Sequence, residues 1–157
     1  MKRLVIAATA VALILPTAAQ AEDFVVDVTW GDVVMTGGIG PEGNWAQAGD
    51  VEGTYVVTYS DGTTGNGTIH CVGMDTPPSE APFRLRMSCD AGREGVATSM
   101  AFNCLWRGEP GPETPLSCIG FIRGKEGALE GRGGMMSMDW SEPGKSHGVG
   151  QWWPAQE

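Results

Sequence analysis

The sequence predicts an all-β domain of about eight antiparallel strands that meander into a barrel, with a β-sandwich as the alternative. Apolar and polar residues alternate with a period of two along much of the chain, which is typical of half-buried strands. Glycine accounts for 24 of the 157 residues, well above the roughly 7% of average proteins. Because no G-X-Y period is present, these glycines indicate turns, bulges and bends between short strands. Four cysteines without a C-x-x-C pair indicate two disulfides.

Turn signals separate the predicted strands. Gly37-Gly38 and Gly40-Pro41 predict a loop over residues 37–43. Asp61-Gly62 is a strong hairpin signal, and Asn66-Gly67 marks either a bulge or an earlier turn in the return strand. Further turns are expected over residues 77–82, 108–115 and 141–144. The strands are expected over residues 23–30, 53–60, 63–72, 83–90, 96–106, 116–123, 129–140 and 146–153.

The alternation also assigns side chains to the two faces of each strand. Residues 83–90 give the cleanest pattern, with Phe83, Leu85 and Met87 on one side and Arg84 and Arg86 on the other. We expect Leu85 and Met87 to be buried and both arginines to face outward. There the arginines would pair with neighbouring acids or hold a carboxylate or phosphate. In the later strands, the shared apolar faces carry Phe102, Trp106, Met136, Met138 and Trp140.

The positions of the predicted turns select one of the three possible disulfide connectivities. The midpoint between Cys71 and Cys89 falls in the turn over 77–82, and the midpoint between Cys104 and Cys118 falls in the loop over 108–115. Each pair would therefore face itself across one hairpin, at a distance that a disulfide bridges. Each bridge would stabilise the fold by about 3 kcal/mol in the chain-entropy model.

Residues 1–21 have the pattern of a cleaved secretory signal peptide. Met1-Lys2-Arg3 supplies positive charge, an apolar run follows, and Ala19-Gln20-Ala21 is a small-x-small cleavage site. The apolar run is too short to span a bilayer comfortably, and no other long apolar run follows. We therefore expect a single barrel domain over residues 22–157, without a membrane span, in the bacterial periplasm or outside the cell.

The charge balance argues against nucleic acid and anionic membranes as partners. The whole chain carries 10 basic and 19 acidic residues, for a net charge of −9. Without the signal peptide it would carry 8 basic residues and a net charge of −11. Such a field repels polyanions and favours solubility.

No catalytic motif is present in the sequence. Gly144-Lys145-Ser146 lacks the upstream glycine of a phosphate loop, and neither G-x-S-x-G nor H-E-x-x-H occurs. His70 and His147 are the only side chains with an ordinary pKa near neutrality. His70 is expected to point to solvent or into a lumen.

One set of residues suggests a metal. Met135, Met136 and Met138 could meet His147 across the turn at 141–144. Thioethers and imidazole are ligands that suit copper, above all Cu(I). Because Met136 and Met138 share a face with Trp140, the same residues also fit an apolar core.

The segment from Gly124 to Gly134 resembles the glycine-rich strand entry of the allene oxide cyclase and dirigent-like barrels. That family favours G-G-T-G-x-F-x-G-x-x-G, which Gly124, Gly127, Leu129, Gly131 and Gly134 match. Lys125 and Glu126 depart from it. The resemblance implies an eight-stranded antiparallel barrel with an apolar lumen, calycin-like or allene-oxide-cyclase-like, and carries over no catalytic residue.

These observations favour a non-catalytic binding module for a small apolar or amphipathic molecule, with no cofactor. The chain contains six tryptophans, which either plug a small barrel or line a pocket. The candidate lumen residues are Phe102, Trp106, Met136, Met138 and Trp140. The alternatives are a cyclase or isomerase that uses the lumen, a periplasmic copper binder, and a structural or partner-binding protein.

Overall fold

A computed structural model describes residues 21–39, 45–75, 82–109 and 114–154. This part of the chain consists almost wholly of strands, which confirms the all-β prediction. A short 3-10 helix, Gly127–Leu129, lies between the seventh and eighth strands. The strands are β1 (Glu22–Trp30), β2 (Val34–Ile39), β3 (Trp45–Tyr59), β4 (Thr64–Asp75), β5 (Leu85–Arg93), β6 (Val96–Trp106), β7 (Leu116–Glu126), β8 (Gly133–Glu142) and β9 (Lys145–Trp152).

Eight of the strands close into an antiparallel barrel, which confirms the barrel over the sandwich. The sheet runs β1-β9-β8-β7-β6-β5-β4-β3, and β1 pairs back onto β3 to close it. The stagger of the barrel can be read from the register partners. Starting at Phe24 on β1 and moving from partner to partner through β9, β8, β7, β6, β5 and β4 leads to Gly49 on β3. Phe24 itself pairs with Tyr59, ten residues further along β3. This stagger tilts the strands and sets the barrel's width.

Strand β2 is an addition to the barrel, and it corrects the expected loop over 37–43. Strand β3 is 15 residues long, and β1 covers only its second half, from Gly53 onward. The first half of β3 leaves an open edge, and β2 pairs along it from Val34 to Ile39. Backbone pairing therefore overrides the glycine signal at Gly37 and Gly38. Residues 40–43 of the predicted loop lie outside the described residues.

Several details of the strands also differ from the prediction. Asn66 and Gly67 pair regularly with Val56 and Tyr55, with neither a bulge nor a turn at that point. Strand β5 starts at Leu85, so the alternation does not include Phe83, which is 42% exposed. Leu129 belongs to the 3-10 helix and not to a strand, because its side chain turns in to close one end of the barrel.

Both predicted disulfides are present. Cys71 and Cys89 are register partners on β4 and β5, and Cys104 and Cys118 are register partners on β6 and β7. All four cysteines are buried, so the bridges lie inside the barrel. Residues 76–81 and 110–113 of the connecting turns lie outside the described residues. Paired cysteines of this kind are typical of an oxidising compartment.

The interior is packed by large side chains that sit over glycines. At Gly150 a Cβ atom would overlap the ring of Phe24 and lie 2.7 Å from Met136 Cβ. At Gly120 it would overlap the Ala101 carbonyl oxygen and lie 2.6 Å from the Phe102 ring. Many of the chain's glycines therefore serve close packing within strands, and not only turns.

Tryptophans fill one end of the barrel, which we call the Trp end. The rings of Trp30 and Trp140 stack with their centroids 5.4 Å apart. The indole N–H of Trp30 donates to the hydroxyl of buried Ser146 at 2.9 Å. Because the Trp end is filled by side chains, the opposite end of the barrel is where a ligand could enter.

Residues 1–20, most of the predicted signal peptide, lie outside the described residues, and that expectation stays a prediction. Within the described ranges, the structure contains no helix that is long and apolar enough to cross a membrane.

Candidate functional site

The barrel encloses a cavity of about 60 Å³ at the end opposite the Trp end. We call this cavity the inner cup. It opens to solvent where β1 begins and β5 ends, and its wall is mainly apolar. The apolar wall consists of Phe24, Val26, Val57, Ile69, Ala91, Val96, Met100, Ile122, Leu129, Met136, Met138 and Trp152.

The polar groups of the inner cup are Arg93, Tyr55, Tyr59 and Thr98. The guanidinium of Arg93 lies directly over Gly65, where any Cβ atom would overlap it. Arg93 has no hydrogen-bond or ion-pair partner among the described residues. A cation thus stands over an apolar cavity in a chain with a net charge of −9.

Burial raises the pKa of both tyrosines at the cup above its ordinary value of 10, although the charge of Arg93 opposes the rise in each case. Both phenols are therefore neutral near pH 7 and are able to donate hydrogen bonds. Tyr59 also packs edge-on against Phe24 with the ring centroids 6.4 Å apart. The arrangement offers a positive charge and two hydroxyl donors to an anionic group.

The 3-10 helix closes one side of the cup. Leu129 is 7% exposed, and its backbone lies so close to Gly124 that a Cβ atom there would overlap the Leu129 carbonyl. Gly127 and Gly131 have positive φ angles of 69° and 75°, which glycine adopts without strain. The glycine-rich segment that resembles the family pattern therefore forms this cap.

The mouth also carries an ion pair. Arg132 Nη1 lies 2.8 Å from Glu22 Oε2, and its guanidinium lies 5.9 Å from the ring centroid of Trp152. Glu22 neutralises Arg132, whereas Arg93 has no ion-pair partner among the described residues.

The predicted lumen residues divide between the two ends of the barrel. Met136 and Met138 line the inner cup. Phe102 is buried beside Gly120, Trp140 stacks on Trp30, and Trp106 lies at the Trp end. Their role in ligand binding stays a prediction, and only the two methionines reach the cavity.

The Trp end contains a buried carboxylate. Asp75 is 4% exposed, and the Trp106 indole N–H donates to its Oδ1 at 3.4 Å. Burial raises the pKa of Asp75, while the Trp106 hydrogen bond and the charge of Arg84 act in the opposite direction. Arg84 is half-buried and its charge acts on this carboxylate, contrary to its predicted outward orientation, because it precedes β5 and the strand alternation does not apply to it. Arg86 is exposed, as predicted.

The remaining candidates lie apart. Met135 is 42% exposed on the outer surface, whereas Met136 and Met138 point inward. His147 lies outside, with Nδ1 2.8 Å from Asp27 Oδ1. The structure therefore does not bring the four proposed copper ligands together. The described residues also contain no cluster of three or more His, Cys, Asp or Glu side chains placed to hold a metal.

His70 lies outside the barrel, 2.6 Å from Asp50 Oδ2. The hydrogen bond to Asp50 raises the pKa of His70, with further contributions from the charges of Asp50, Glu52 and Asp90. The outward position separates this imidazole from the interior, where the cyclase or isomerase alternative would need a base.

Sequence reasoning missed Arg93, Tyr55 and Tyr59 as site residues. The signal for Arg93 was the continued alternation of Cys89, Ala91 and Arg93 beyond the predicted strand end at residue 90. The tyrosines were assigned to one face of a strand, but nothing local indicated that this face met Arg93. No family model matches the chain, and no curated protein or solved structure is significantly similar to it.

Proposed function

We propose that this protein is an exported, non-catalytic binding module that holds a small amphipathic anion in the inner cup. Export is supported by the signal-peptide pattern of residues 1–21 and by the two buried disulfides. The observation that most supports this function is that the Arg93 guanidinium stands over an apolar cavity and has no partner among the described residues. A carboxylate or phosphate head would pair with Arg93 and accept hydrogen bonds from Tyr55 and Tyr59.

The cavity volume limits the apolar part of the ligand. One water needs about 10–15 Å³ on the same measure, so 60 Å³ accommodates about four to six atoms of that size. Sites for drug-sized molecules are several times larger, at about 300–1,000 Å³. The ligand class that fits is a short-chain carboxylate or a similar small acid, and longer chains would require the Leu129 cap to move.

Calorimetric titration of the mature protein with hexanoate and with hexylamine tests this function. We expect hexanoate to bind more tightly, because only the acid pairs with Arg93. Arg93→Gln should weaken hexanoate binding by about 10-fold or more, the usual scale for a charged hydrogen bond. The matched control is Arg86→Gln, which removes an exposed arginine outside the cup.

A second variant tests the cavity itself. Ala91 is partly buried in the wall of the cup, so Ala91→Met should fill the space and abolish binding while thermal melting reports on the fold. Equal affinity for the acid and the amine, or equal losses in Arg93→Gln and Arg86→Gln, would overturn the proposed function.

A further inference from the structure

The outer surface of β7, β8, β9 and β1 carries a contiguous exposed apolar patch, which we call the outer face. Met135 pairs with Phe121 across β8 and β7, and Val25 pairs with Val149 across β1 and β9. The rings of Phe121 and Trp153 meet edge-on with centroids 6.4 Å apart. The members of the outer face are Val25, Ile119, Phe121, Met135, Val149 and Trp153, each 37–63% exposed. Single exposed apolar residues are ordinary, but a joined group marks an interaction surface.

The outer face contains an open groove of about 600 Å³, ten times the volume of the inner cup. Its lining residues come from five adjacent strands, β3, β1, β9, β8 and β7, and four strand spacings amount to about 19 Å. A helical segment of about 13 residues has the same length. The groove is thus too open to enclose a small molecule and matches one face of a short amphipathic segment.

The charges around the groove favour a cationic occupant. Asp23 is the only ionised side chain among the described residues that line it. Its Oδ1 accepts a hydrogen bond from Gln151, and its carboxylate stays exposed. Asp27 lies two outward-facing rows beyond Asp23 along β1, beside His147.

The basic side chains nearest to the outer face are either paired with acids or lie away from β1. Arg107 is 3.6 Å from Asp139 and Arg132 is paired with Glu22, while exposed Arg123 lies on β7 two residues beyond Phe121, at the side of the outer face away from β1. The β1 side is therefore acidic and the β7 side is not. A second copy of the chain would bring a further −9 charge to the surface, which disfavours self-association.

We propose that the outer face docks a cationic amphipathic segment of a partner protein. Its apolar side chains lie across Val149 and Ile119, and its lysine or arginine side chains lie along β1 beside Asp23. This site is on the outside of the barrel and does not use Arg93, although Phe24, Tyr59 and Met136 line both the groove and the inner cup.

The test is fluorescence anisotropy of two labelled 14-residue amphipathic peptides with the mature protein, one built from Lys and Leu and the other from Glu and Leu. We expect binding of the Lys/Leu peptide only, weakened between 50 and 500 mM salt by screening. The double substitution Val149→Ser with Ile119→Ser should weaken it about 10-fold, as expected for the loss of two apolar contacts. Asp23→Asn should reduce both the affinity and its salt dependence.

Two matched controls separate the outer face from general attraction to an acidic protein. Val72→Ser removes a valine that is 48% exposed on β4, against 50% for Val149. Glu52→Gln removes an exposed carboxylate of β3. Neither control should change the affinity, and Arg93→Gln should not change it either.

Several results would overturn the proposal. Binding of the Glu/Leu peptide with equal affinity would remove the charge argument, and equal losses in the test and control variants would show non-specific attraction. A dimer in sedimentation that Val149→Ser with Ile119→Ser abolishes would instead identify a contact between copies. Binding to zwitterionic vesicles that the same double variant abolishes would identify a lipid surface.

Discussion

Substitution of Gly120 by alanine tests whether interior packing depends on glycines within the strands. Gly120 lies in the middle of β7 and faces inward, between two outward-facing residues. A Cβ atom there would overlap the Ala101 carbonyl oxygen of β6 and approach Cδ1 of Phe102 to 2.6 Å. Phe102 is 2% exposed, so its ring has no free space into which to move. The new methyl group must therefore displace either the ring or the ladder between β6 and β7.

The expected cost follows from two opposing effects. Overpacking a filled core costs about 1–3 kcal/mol, and a backbone overlap places this site at the upper end of that range. Replacing glycine by alanine also restricts the unfolded chain, which offsets about 0.4–1 kcal/mol. The net loss of unfolding free energy should be about 2 kcal/mol. For a domain of this size, that loss lowers the melting temperature by about 6–8 °C.

Urea denaturation and calorimetry under non-reducing conditions measure this loss. Gly38→Ala is the matched control, because Gly38 also lies in a strand but a Cβ atom there meets nothing within 4 Å. It should leave stability unchanged or slightly raise it. In a Phe102→Ala background the cost of Gly120→Ala should become smaller without vanishing, since the ring is absent but the overlap with the Ala101 carbonyl oxygen remains. A Gly120→Ala variant as stable as the wild type would refute the packing argument.

Three further predictions concern the disulfides, the outer surface and the core. Replacing both Cys104 and Cys118 by alanine should lower the unfolding free energy by about 3 kcal/mol in denaturant titrations, and an unchanged value would show that the bridge adds no stability. The raised pKa of His70 means that its bond to Asp50 stabilises the fold fully below about pH 6.5. That contribution disappears as the pH rises through the folded-state pKa, so the stability difference between wild type and His70→Gln should shrink with increasing pH. An NMR titration in which Asp50→Asn leaves the His70 pKa unchanged would contradict this. Met87→Ala should cost about 2–5 kcal/mol, because Met87 is 9% exposed in the packed interior; a loss below 1 kcal/mol would place it outside the core.

Local patterns predicted the strands and the disulfides well. The strand over Val96–Trp106 has the predicted bounds, and the hairpin signal at Asp61-Gly62 is confirmed by the Asp61 side chain, which accepts the backbone N–H of Thr63 at 2.8 Å. Cys71 and Cys89 were predictable as partners because antiparallel neighbours along the chain face each other across their own turn. All of these features depend on residues that are close in sequence.

The functional residues depended on how three successive strands, β3, β4 and β5, align with one another. Arg93 reaches the inner cup only because β5 continues beyond the predicted end and Gly65 on β4 leaves room for the guanidinium. Tyr55 and Tyr59 reach the same mouth because β3 lies beside β4, where Gly65 pairs with Val57 between the two tyrosines. Neither relation appears in the local alternation of either strand.

The amino-acid sequence by itself determined the strand class, the order of the hairpins, the cysteine pairing and the acidic charge, because each follows from spacing along one or two neighbouring strands. Only the tertiary structure decided how the sheet closes, where β2 pairs and which end of the interior stays open. The ten-residue stagger between Gly49 and Tyr59 accumulates over all eight strands. The stagger of all eight strands therefore decides which inward-facing side chains lie at the same height in the barrel. The cavity at Arg93 and the apolar outer face depend on the whole barrel in the same way.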